Sequence, residues 1–219
     1  MGMDVKELIK QLDDPDPVIR QKAAQTLTFA AAPGQDITAA APALWKVLDD
    51  NTDNVKENAA EALAFHYIYK GEWKKIEQLL GHDIDVVRSS TSQVVALFHI
   101  DEGEWKRIEK LLKHRNADVA MEAVDVVRDF ILNSDSVDKL DEAQKSIENS
   151  FREYKRKNQK DEIRIARRKF EYSQLLMHIA QMKAKLSGKD GDLQLGDTVK
   201  KPEKGGKVYR KLRQVNRNG

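Results

Sequence analysis

The five histidines, His66, His82, His99, His114 and His178, are the side chains best suited to hold a metal or move a proton near neutral pH. Their spacing points elsewhere. No HExxH pair and no His-carboxylate spacing of a metal site accompanies them. His82 and His114 fall at equivalent points of an internal repeat, where Asp14 and Asp50 stand in earlier copies. That pattern predicts turn capping rather than ligation. His66 and His99 sit near the ends of predicted helices and are expected to be packing residues. The chain has no cysteine, which excludes disulfides, thiolate metal sites and cysteine nucleophiles. Carboxylates are plentiful, with 36 Asp+Glu, but they lie at predicted helix starts and on solvated faces. Gly188-Lys189-Asp190-Gly191-Asp192 lacks the rest of a P-loop or an EF-hand. The expectation is therefore no catalytic residue, no metal, no cofactor and no small-molecule substrate.

The chemistry that remains is binding. The formal net charge of +2 hides an asymmetry. Residues 1–151 carry 18 Lys+Arg against 28 Asp+Glu, whereas residues 152–169 carry 9 against 3 and residues 198–219 carry 8 against 1. An acidic body with basic segments predicts partner binding better than it predicts chemistry. The first basic segment contains Arg152, Lys155, Arg156, Lys157, Arg164, Arg167 and Arg168. The second contains Lys207, Arg210, Lys211 and Arg213, with Tyr209 among them as a side chain able to stack on a base. Either could receive phosphates or an acidic protein. Among the three tryptophans, Trp73 and Trp105 align with Val5 and Ala41 in the repeat and are expected in the core. Trp45 aligns with Ile9, Glu77 and Glu109, and is the aromatic expected at a contact surface.

These residues ride on a repeat. Ile19, Val55, Val87 and Val119 each follow a leucine by seven residues: Leu12, Leu48, Leu80 and Leu112. Four residues before each leucine stand Leu8, Leu44, Ile76 and Ile108. After each β-branched marker come Ala23, Ala59, Thr91 and Ala123 at +4, then Leu27, Leu63, Val95 and Val127 at +8. The heptapeptide from Gly71 to Glu77 reappears with one Lys-to-Arg change from Gly103 to Glu109. Steps of 3, 4 and 8 place apolar residues on one helical face, so each unit is two helices, A and B, joined by a polar turn.

The stretch Asp16-Pro17-Val18-Ile19-Arg20, followed by Ala23, Ala24 and Leu27, resembles a HEAT repeat. The short period is similar to HEAT-like repeats of the phycobilisome-lyase type. The resemblance covers about residues 4–133. Arg20, Lys56 and Arg88 match the family's basic position after the marker, while Ala120 departs from it and Thr91 stands where alanine is usual. The resemblance implies an α-solenoid that binds other macromolecules on an extended concave surface.

The period stops at Asp135. Apolar spacing predicts one helix over about 136–157, with Ser136 as its N-cap, and a second over about 160–186. The second has two stripes. Ile163, Ala166, Phe170, Ser173, Met177, Ala180 and Ala184 alternate by 3 and 4 like a short heptad seam. Tyr172, Leu175, Leu176, Ile179, Met182 and Leu186 form the other. A helix apolar on two faces needs two partners, and both an intramolecular cap and an intermolecular seam answer to that. Six glycines after Ser187 mark a flexible basic arm.

The expected architecture is all-α: an α-solenoid of about four HEAT-like helix pairs over residues 1–133, a long αα-hairpin over 134–186, and a flexible basic arm over 187–219. The opening MGMDVKELIKQL has no apolar signal region, and no run of 18 apolar residues exists. The expected role is a cytoplasmic, non-catalytic protein-binding scaffold or adaptor with no membrane contact. Nucleic-acid binding through the basic segments is the alternative.

Overall fold

The computed structural model describes residues 4–188. The chain is an all-α solenoid of stacked helix pairs, and no strand occurs among the described residues. Among the described residues ten α-helices follow in order: α1 (Val5–Gln11), α2 (Pro17–Ala31), α3 (Ala41–Lys46), α4 (Asp53–Lys70), α5 (Trp73–Leu80), α6 (Asp85–Asp101), α7 (Trp105–Leu112), α8 (Ala117–Leu132), α9 (Val137–Lys157) and α10 (Glu162–Leu186). The odd-numbered helices up to α7 are the short A helices, and the even-numbered ones up to α8 are the long B helices. In the second pair, single turns of 3-10 helix at Thr38–Ala40 and Val47–Asp49 flank α3, and Pro42 lies in its first turn. Proline suits that position because its missing N–H would have no helical partner there.

The repeat markers form the core. Leu12, Leu48, Leu80 and Leu112 are all buried, as are Val55, Val87 and Val119. Ile19 and Leu8, in the first pair, are only half-buried. Thr91, the departure from alanine, is fully buried, and its hydroxyl donates to the Val87 carbonyl at 2.7 Å. The polar atom is thereby satisfied within its own helix, so the substitution needs no change in packing.

Packing divides the chain into two units, with the boundary between Thr91 and Ser92, inside α6. The sequence boundary at 133/134 follows the end of the repeat pattern, which is a different property. In the first unit α2 packs along α4, B helix on B helix. In the second unit α9 packs on α7, and α10 packs on α8 and α9. The hairpin thus stacks like a further A/B pair, although its sequence has left the repeat. Tyr172, Leu175 and Ile179 are the buried stripe of α10. The Tyr172 hydroxyl donates to the Leu112 carbonyl at 2.8 Å, and its ring meets Phe151 edge-on at 5.8 Å. Ser136 caps α9 through the Lys139 N–H.

Candidate interaction surfaces

The turn between A and B helices is built the same way four times. An acceptor two residues upstream receives a backbone N–H: Asp14 from Asp16 at 2.8 Å, Asp50 from Thr52 at 2.8 Å, His82 from Ile84 at 3.3 Å and His114 from Asn116 at 3.2 Å. In both histidines the acceptor is Nδ1, so the imidazole takes over the work of an aspartate carboxylate. The turn-capping reading of His82 and His114 holds. Burial, followed by Arg115, lowers the His114 pKa below its usual value, which keeps Nδ1 free to accept. The basic residue after the marker closes the same turn. Arg20 donates to the carbonyls of Asp14 and Pro15, and Arg88 donates to those of His82 and Asp83. His66 and His99 are buried, as expected of packing residues. Among the described residues no group of His, Asp or Glu could hold a metal ion.

Trp45 is half-buried. Its indole N–H donates to the Tyr67 hydroxyl at 2.7 Å, and the Lys75 ammonium sits 5.7 Å from its ring centroid. Lys75 and Trp45 together present a small cationic-aromatic patch in the first unit. Trp73 and Trp105 are also half-buried, which corrects the core position expected for them. Trp105 packs edge-on against Phe130 at 5.4 Å, and its N–H donates to Glu142 at 3.1 Å. An indole needs a partner for its N–H, and the rim of a helix pair supplies one where a dry core would not.

The densest cationic surface lies where α9 meets α10. The turn is held by side chains at both ends. Asn158 donates to the Tyr154 carbonyl at 2.8 Å, and Asp161 accepts the Arg164 N–H at 3.0 Å as the cap of α10. The acids of this region are largely committed within the chain. Glu153 binds Lys113 at 2.6 Å, which holds its carboxyl below the usual range. Asp161 pairs with Arg164 at 3.1 Å, and Glu171 pairs with both Arg167 and Arg168. Among the described residues, no carboxylate stands within salt-bridge distance of Arg152, Lys155, Arg156, Lys157, Lys160 or Lys169, and all six are exposed. Uncompensated positive charge is therefore concentrated at this tip.

Arg168 leaves the exposed set predicted from sequence. It is only 7% exposed, bonded to Glu171 at 2.8 Å and stacked 5.3 Å from the Tyr154 ring. Its position four residues before Tyr172 puts it on the buried stripe, a signal the sequence contained. Lys207, Tyr209, Arg210, Lys211 and Arg213 lie outside the described residues. Lys113, which neutralises Glu153 and so leaves the tip its cations, carried no sequence signal because it lies at the C-terminal cap of α7, 40 residues before Glu153.

Residues 5–96 match the family model for HEAT repeats. Similar solved structures include an engineered protein from the Northeast Structural Genomics Consortium, 18% identical over 99% of this chain and 96% of that one, with a TM-score of 0.40. They also include a designed armadillo repeat protein, 20% identical over 68% of this chain and 71% of that one, with a TM-score of 0.34. No curated protein sequence matches the chain. Among the described residues no helix is long and apolar enough to cross a membrane.

Proposed function

Because residues 5–96 match the family model for HEAT repeats, we propose that the chain is a non-catalytic, cytoplasmic protein-binding scaffold, an adaptor subunit of a larger assembly. Repeats of paired helices commonly serve to recognise another macromolecule. The observation that carries the reading is the α9–α10 tip. Six exposed cations there have no salt-bridge partner among the described residues, while the repeats are acidic overall. An acidic protein surface is the partner this tip fits. The arm bearing Lys207, Tyr209, Arg210, Lys211 and Arg213 adds charge of the same sign, and Trp45 with Lys75 forms a second contact point.

Affinity capture with the full chain and with the triple variant Lys155→Glu/Arg156→Glu/Lys157→Glu tests this. Capture that survives nuclease and is lost in the variant supports the scaffold. Capture that the variant retains in full removes the tip from the interface. The second reading is nucleic-acid binding, favoured by the same unpaired cations, which would suit phosphates equally well. It requires capture that nuclease abolishes, and affinity that falls steeply with added salt.

A further inference from the structure

The side of α10 opposite its buried stripe carries an apolar seam that nothing in the described chain covers. Ile163 is 84% exposed and Phe170 67%, with Met177 at 38%. Ala166, Ser173 and Ala180 are exposed between them. In the first unit a B helix packs against the next B helix, and in the second α10 packs against α8 in the same way. The seam lies on the face where one more B helix would stack.

We propose that this seam is the contact surface for a second copy of the same chain, with the two α10 helices packed antiparallel. Side-chain size carries the argument. Written as a heptad, the a positions are large (Ile163, Phe170, Met177) and the d positions small (Ala166, Ser173, Ala180). Antiparallel helices set each a position against a d position of the other copy, so every layer joins a large side chain to a small one. Parallel helices set a against a and d against d, and would alternate collisions with voids. The register with most layers pairs Ile163 with Ala180, Ala166 with Met177, and Phe170 with Ser173. Two-fold symmetry doubles these to six layers, over about 26 Å of helix. The surface is complementary to itself, as a two-fold interface requires.

Charge agrees with this pairing. Lys183 is paired with Asp141 and Gln144 of α9 in its own chain, so the charges that bear on the seam are those of the tip. Antiparallel packing sends the two cationic tips to opposite ends of the interface, well beyond the screening length of about 8 Å. Parallel packing would bring them together. Arg152, Lys155, Arg156, Lys157 and Lys160 precede the seam and remain open in the antiparallel pair, so the part of the tip assigned above to the acidic partner is separate from this surface, and only Lys169 flanks it.

Sedimentation of the full chain over a concentration series reads the proposal. A species of twice the single-chain mass is expected. Phe170→Glu and Ala180→Glu, both at exposed positions, should each weaken association roughly a hundredfold while helicity by circular dichroism stays unchanged. The cysteine-free chain allows a test of direction. Ala166→Cys/Met177→Cys should form a covalent dimer on mild oxidation, and Ala166→Cys alone should not. A single-chain mass at every concentration overturns the proposal, as does a dimer that both glutamate variants leave intact. Cross-linking by Ala166→Cys alone would equally overturn it, because it requires parallel helices.

Discussion

Arg20 grips Asp50 in a two-point ion pair, Nε to Oδ2 at 2.6 Å and Nη2 to Oδ1 at 3.0 Å. The same guanidinium binds the carbonyls of its own turn at Asp14 and Pro15. Asp50 meanwhile accepts the Thr52 N–H of the second turn. One planar fork therefore joins the turns of two successive helix pairs, a task suited to arginine's fixed donor geometry.

Replacing Asp50 should expose that link. Asp50→Ala removes the turn acceptor and the ion-pair partner together, and should cost about 2 kcal/mol. Asp50→Asn keeps the turn acceptor and loses only the charge, so its cost should be smaller. Urea unfolding reads both as shifts of the midpoint at unchanged slope. Equal losses in the two variants would show that the turn bond contributes nothing.

Gly71 and Gly103 close α4 and α6 in the left-handed region, with φ of 69° and 70°. Each N–H bonds back into the last helical turn, and the following residue bonds further back, Glu72 to the Tyr67 carbonyl and Glu104 to that of His99. A Cβ at either glycine meets no atom within 4 Å. Alanine there should therefore cost only the backbone term, about 1 kcal/mol at each site. Thermal melts of the single variants and of the double variant should show two similar, additive losses.

Acid should weaken the fold before its carboxylates titrate. His66, His99, His114 and His178 all have pKa values lowered from 6.5, in each case chiefly by burial. For His99 this outweighs a Glu104 carboxylate at 2.7 Å. A lowered folded-state value means the unfolded chain takes up protons first. Stability is complete above about pH 6.5 and is lost as pH falls through the folded-state values. The urea midpoint should be lower at about pH 5.5 than at about pH 7.5. His114→Asn retains a turn acceptor that does not titrate, and should shrink the difference. A midpoint equal at the two pH values would contradict this account.

Tyr172→Phe tests the docking of α10. It removes the one side-chain donor to the Leu112 carbonyl that the structure shows, at a buried position, and should cost about 1 kcal/mol. The ring and its contact with Phe151 remain, so circular dichroism should be unchanged while the urea midpoint falls.

Much of this was legible in local spacing. The leucine and valine markers located four helix pairs, and they fell into the core at their predicted helices, apart from the half-buried Leu8 and Ile19 of the first pair. The equivalence of His82 and His114 with Asp14 and Asp50 identified the turn caps, because hydrogen bonds two residues apart depend on neighbours in sequence. Trp73 and Trp105 were misplaced in the core, since alignment with Val5 and Ala41 says which way a side chain points but not where its N–H finds a partner.

The sequence by itself determined the helices, their pairing into repeats and the two apolar stripes of α10, since periodicity is a property of one segment. Only the tertiary structure decided which stripe is covered. Tyr172, Leu175 and Ile179 turn inward against neighbouring helices, and Ile163 and Phe170 turn outward. It also decided that Arg168 is buried beside Glu171 and Tyr154 while its neighbours in sequence stay exposed. Both outcomes depend on what lies across the interface, in helices far away along the chain. Burial is a relation between two surfaces, and a single helix encodes only its own.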